Sequence, residues 1–133
     1  MRARHRAVAA LAALAPLIAS AGAMHECEGD RQGLVKCLSD LDLETLGALK
    51  RAETAAGNAA RDVDAATKQP GAYTAFASSS RAFAFYQQAQ CDYVRALQPD
   101  ANARARSAEP SQADLAKIAC RIDLARGRID LLK

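Results

Sequence analysis

SQADLAKIACRIDLARGRIDLLK, residues 111–133, decides the fold of this chain. Within it Leu115, Ile118, Ile122, Ala125, Ile129 and Leu132 recur at strictly alternating spacings of three and four, which at 3.6 residues per turn gathers all of them on one stripe of a helix. Such a stripe is the seam of a helix packed along another helix. The helix start is legible too. Ser111 brings a hydroxyl that caps free backbone N–H groups, and Asp114, three residues on, places a negative charge where the helix dipole favours one.

Two earlier stretches read the same way. In the first, Leu34, Leu38, Leu41, Thr45, Leu49, Ala52, Ala56, Ala59, Val63 and Ala66 recur at helical spacing until Pro70-Gly71 ends the run. Gly57-Asn58 interrupts it and predicts a bend or a split there. The second helix is expected over residues 72–98, with Tyr73, Phe76, Ser80, Phe83, Gln87, Cys91, Val94 and Leu97 on one face, and it carries every aromatic residue of the chain. Phe85 falls off that stripe. Its expected place is beneath the polar, alanine-rich loop of residues 99–110, where Arg104 and Arg106 are exposed, and its other reading is an anchor for a partner. With little β-branched alternation anywhere, the pattern predicts an all-α, up-down-up bundle of three helices, or four if the first is split.

Upstream, Arg2, Arg4 and Arg6 form a basic segment, residues 7–18 an apolar run, and Ala19-Ser20-Ala21 and Ala21-Gly22-Ala23 each offer the small side chains a signal peptidase needs. An apolar run of about 12 residues is too short for a bilayer that needs about 20, and Pro16 lies inside it. The expectation is a signal peptide over residues 1–23, cut after Ala23 with a cut after Ala21 as the alternative, and one helical domain over residues 24–133 that is periplasmic or secreted. The whole chain has 18 basic and 15 acidic residues, and three of the basic ones are the leader's arginines, so 15 of each remain. The net positive charge belongs to the leader and gives no reason to expect nucleic acid as a partner. Residues 24–66 are predominantly acidic and residues 67–133 predominantly basic, a polarity that lets the first helix lie against the other two.

Cys27, Cys37, Cys91 and Cys120 all follow the leader, and an even count in a small exported domain points to two disulfides. In an antiparallel hairpin of the second and third helices, Cys91 and Cys120 stand roughly 10 and 13 Å from the same loop, level enough to bond. Cys27 and Cys37 then close a small loop onto the first helix. Cys27 follows Met24-His25-Glu26 and not the small-residue box of a lipoprotein, so no membrane anchor is expected after cleavage.

No catalytic constellation is legible, and the chain is not expected to be an enzyme. After cleavage His25 is the sole histidine, at a terminus too frayed to preorganise catalysis. Ser78-Ser79-Ser80 has no histidine near it in sequence. His25, Cys27 and Cys37 match no common metal-ligand spacing, and no glycine-rich phosphate loop occurs, so neither metal nor cofactor is expected. The acid pairs Asp40, Asp42 and Glu44, and Asp62 and Asp64, stand at spacings that splay side chains apart on a helix, which favours a solvated surface over a glycosidase dyad.

The stretch SRAFAFYQQAQC, residues 80–91, resembles the LprI-type lysozyme-inhibitor domain, a family of small exported helical proteins of bacterial envelopes. The resemblance is carried by Arg81, Ala82, Phe83, Tyr86 and Cys91, by Cys120, Leu124, Arg126, Arg128 and Leu132, and by the early pair Cys27 and Cys37. Phe83 stands where the family has tryptophan, Gln87-Gln88 where it has Arg-Asp, and the first helix lacks its Leu-Asn and tyrosine positions. The resemblance implies a binding protein that blocks a lysozyme-type cell-wall hydrolase. Lysozymes being commonly cationic, Asp40, Asp42, Glu44, Asp62 and Asp64 are the candidate contact residues. The alternative is an envelope interaction module, an assembly factor or a toxin-immunity protein, with a different partner.

Overall fold

A computed structural model of the protein describes residues 22–102 and 109–133. Among these, four helices follow one another: α1 Gly22–Glu26, α2 Arg31–Thr67, α3 Ala72–Ala96 and α4 Gln112–Leu131. The expected leader, but for Gly22 and Ala23, and the loop arginines Arg104 and Arg106 lie outside the described residues.

α4 is the centre of the bundle. Its seam residues Leu115, Ile122 and Ala125 are all but inaccessible, and Ala113, Ala119 and Cys120 are buried beside them because α4 lies in the groove between α2 and α3. Ala23 and Cys27 of the α1 segment, with Leu38 of α2, join Leu115, Ala119 and Ile122 in one core cluster. Both disulfides pair as expected, Cys27 with Cys37 and Cys91 with Cys120, each with Cα atoms 5.6 Å apart. The first ties α1 to α2 and the second ties α3 to α4.

The first long helix does not split at Gly57-Asn58. α2 runs unbroken for 37 residues, and the fourth helix is the short α1 instead. Gly57 is a packing notch: it is buried, and a Cβ placed there would stand 3.0 Å from Cε1 of Phe76 on α3. The missing side chain lets the aromatic ring close against the α2 backbone. Gly127 on α4 has nothing within 4 Å of the same position. Gly127→Ala is therefore expected to raise stability by about 1 kcal/mol through helix propensity alone. Gly57→Ala should lower it, because the ring must move, and thermal unfolding of the two variants would show shifts of opposite sign.

Every helix start draws on an aspartate. Asp30 accepts from Gly33 N–H at 2.7 Å at the start of α2. The start of α4 combines a Ser111–Asp114 capping box with Asp100, which accepts from Gln112 and Ala113 at 2.8 and 3.0 Å. α3 opens on Gly71, which has no side chain to cap with, and Asp64 reaches across from α2 to accept from Gly71, Ala72 and Tyr73 at 3.1, 2.8 and 3.1 Å. These backbone donors, Tyr73 foremost and then Ala72, hold the Asp64 carboxyl below the ordinary aspartate value of 3.8. A carboxylate whose folded pKa is depressed adds stability above its unfolded value and loses it as pH falls through the folded one. Asp64→Ala should thus lower Tm at neutral pH, and the gap from the parent should close as pH falls below about 4.

The helices differ in length, and this shapes the molecule. Arg31 at the start of α2 donates to the carbonyl of Pro110 at 2.7 Å, and Arg128 near the end of α4 faces Glu53 of α2 and Ser79 of α3. Beyond that level α2 and α3 continue as a two-helix arm: at about 1.5 Å per residue α2 extends about 21 Å, from Glu53 to Thr67, and α3 accompanies it for about 10 Å, from Ser79 back to Ala72.

Candidate functional site

α3 presents an apolar stripe that the bundle leaves uncovered. Ala82, Tyr86, Ala89, Tyr93 and Ala96 follow one another at spacings of four and three, the same alternation that makes the seam of α4, yet all are exposed. Phe85 and Leu97 flank them. Phe85 is 78% exposed, Tyr86 53%, Tyr93 59% and Leu97 61%. Two expectations change here. Phe85 does not pack beneath a loop, because its position on α3 points it away from both neighbouring helices. Leu97, the C-cap of α3, is exposed and does not join the buried face.

Beside the stripe, α3 and α4 enclose a groove of about 530 Å³ lined by Met24, Tyr86, Val94, Ala116, Ala119 and Leu124. Tyr86 forms its lip. The two-helix arm carries a second, more open concavity, where Arg61 stacks over the Tyr73 ring at 4.0 Å and Lys50 and Arg81 complete a basic rim. Aromatic rings fixed on a stapled helix offer large contact area with little side-chain entropy to lose, the chemistry of a protein-binding surface.

The five acidic candidates divide. Asp42 is turned inward, where Arg121 of α4 grips it through both nitrogens of its fork, with Nε 3.1 Å from Oδ1. Asp64 is committed to the start of α3. Asp40, Glu44 and Asp62 share one exposed face of α2, but Lys36 pairs with Asp40 and Arg51 stands between them on that face. They do not converge on a site.

The residues that carry the family resemblance are largely architectural. Phe83 lies beneath the Arg128 guanidinium, which stands 5.5 Å from its ring centroid, and Gln87, one of the departures from the family, donates to the carbonyl of Arg121 at 2.9 Å. Arg126 pairs with Glu26 at 2.7 Å, tying α4 to α1, a bond that lowers the pKa of Glu26 and raises that of Arg126. Arg81 and Tyr86 are at the surface.

No family model, curated protein or solved structure matches this chain.

The serines and the histidine have structural partners. Ser79 and Ser80 accept from Arg128 at 3.0 and 3.3 Å, and His25 pairs with Glu28 at 2.7 Å in an exposed position. Cys27 and Cys37 are joined to each other, so neither is a thiolate ligand. Among the described residues no cluster of three or more His, Cys, Asp or Glu is placed to hold a metal ion. No described helix is long and apolar enough to cross a membrane.

Proposed function

We propose that the protein is an exported binding protein of a bacterial envelope that inhibits a lysozyme-type cell-wall hydrolase, with the exposed face of α3 as its principal contact. The observation that carries the binding role is the stripe of Phe85, Tyr86, Tyr93 and Leu97, large apolar side chains left uncovered on a helix that Cys91 locks to α4. Two disulfides suit an oxidising compartment outside the cytoplasm. The choice of a lysozyme-type partner comes from the family resemblance at residues 80–91 and at the C-terminus. Asp40, Glu44 and Asp62 serve it as long-range attraction toward a cationic enzyme, acting on the rate of encounter more than on the bound state.

The test is lysis of a cell-wall substrate by lysozyme in the presence of the purified exported protein. Inhibition is expected, and joint Phe85→Ala and Tyr93→Ala substitution should weaken it at least about 30-fold, the scale of a hot-spot loss of about 2 kcal/mol. Neutralising Asp40, Glu44 and Asp62 should mainly slow association and flatten its salt dependence. Unchanged lysis at large molar excess of the protein would sink the proposal. The stripe itself is uncharged, which favours one second reading, an envelope interaction module whose partner is not a lysozyme. Recovery of such a partner on the wild-type protein but not on the double variant, with no effect on lysis, would select it.

A further inference from the structure

Asp123 is the exception among the aspartates at helix starts. Its Oδ1 accepts from Ala23 N–H at 3.0 Å, but its Oδ2 is buried and has no hydrogen-bond partner. Asp64 and Asp100, by contrast, engage both carboxylate oxygens. The guanidinium of Arg126, three residues further along α4, is directed to Glu26 instead. A buried carboxylate oxygen without a donor is costly, so its place in a native chain calls for a donor that arrives later.

The backbone of Gly22 lies against this carboxylate. A Cβ built on Gly22 would stand 2.6 Å from Oδ1 and 3.5 Å from Oδ2, and the Gly22 nitrogen is about 1.46 Å from the same Cα. Ala23, next in the chain, is wholly buried among Cys27, Leu38, Leu115, Ala119 and Ile122. Residues 22 and 23 therefore belong to the folded domain. A cut after Ala23 would strip a core residue and leave Asp123 without its one backbone donor.

We propose that maturation cuts the Ala21–Gly22 bond and that the α-ammonium group released on Gly22 docks on the Asp123 carboxylate, locking the new chain terminus to α4. Ala19-Ser20-Ala21 supplies the small residues such a cut requires. Signal peptidase and water break the amide C–N bond. The carboxylate stays on Ala21, and the amine of Gly22 takes up a proton, since an α-amino group has an ordinary pKa of about 7.7–8.0. Its three N–H donors then face a carboxylate with one oxygen unsatisfied. The inference rests on the reading of the chain as exported.

Two measurements test it. The full 133-residue chain is expressed in a bacterium with a periplasm, and the exported protein is subjected to N-terminal sequencing and intact-mass measurement. Gly22 is the expected first residue. A start at Met24 would overturn the proposal and leave export standing, whereas an uncut chain retained in the cell would overturn export as well. In the Gly22-terminated protein, Asp123→Asn and selective acetylation of the α-amino group should each lower Tm by several degrees. Their combination should lower it no further, because both remove one ion pair. Additive losses, or none, would show that the terminus and Asp123 do not interact.

Discussion

Replacing Cys91 and Cys120 together by alanine is expected to lower stability by about 3–4 kcal/mol, and the same change at Cys27 and Cys37 by about 2–3 kcal/mol. The difference follows from the chain closed by each bond. A cross-link between residues 29 apart removes more freedom from the unfolded chain than one between residues 10 apart. Packing adds to the first loss, because Cys91 is 1% and Cys120 8% exposed and their sulfurs fill the contact between α3 and α4. The deeper variant should melt roughly 15–25 °C below the parent, followed by helical circular dichroism. Equal losses for the two pairs, or a larger loss for Cys27 and Cys37, would refute this ranking. The ranking also bears on function, since the Cys91 bond fixes the helix that presents the aromatic stripe. Loss of Cys91–Cys120 should degrade binding before the chain unfolds, while loss of Cys27–Cys37 should leave binding intact.

What the sequence makes legible here is whatever depends on local period. The seam of α4, the stop of α2 before Pro70-Gly71, the start of α3 at Ala72, the Ser111 cap and the heights of Cys91 and Cys120 all follow from spacing along one helix, and all appear in the structure. Gly57 was misleading because its reason is Phe76, far away in sequence, and only the packed pair shows a notch where propensity predicts a break. Asp42 did carry a signal. It stands four residues after Leu38 and three before Thr45, in line with the buried stripe of α2, and an acid on a buried stripe needs a cation opposite, which Arg121 supplies. Tyr86 and Tyr93 carried one as well, since their alternation with Ala82, Ala89 and Ala96 is a second helical seam. One helix surrounded on two sides cannot bury two seams and its flanks at once, and α3 leaves this one to solvent. The partners of Asp64, Asp100 and Asp123 had no local signature at all, because Asp64 and Asp123 each cap a helix other than their own and Asp100 caps α4 from the turn after α3.

Arg128 joins the helices at the base of the arm, and its replacement should have the second-largest effect. The side chain is 11% exposed, donates to Ser79 at 3.0 Å and Ser80 at 3.3 Å, stacks toward Phe83, and turns its buried Nε to Glu53 at 3.7 Å. Only a planar fork with donors on several edges serves two hydroxyls and a carboxylate from one point. Arg128→Ala is expected to cost about 2–3 kcal/mol, less than the 3–5 kcal/mol of breaking a fully buried pair, because Glu53 is 30% exposed and regains some water. Arg128→Lys keeps the charge and most of the stem but cannot reach both serines, so about half of that loss should remain. Arg128→Met combined with Glu53→Gln should recover part of the loss of Arg128→Met alone, because the pair then disappears together and no lone carboxylate is left facing the core. Urea unfolding reads these as shifts in midpoint at constant slope. A lysine variant as stable as the parent would mean that Arg128 acts as a charge only. Its position, one side chain holding α2, α3 and α4 near the end of α4, would then have no bearing on the rigidity of the arm beyond it.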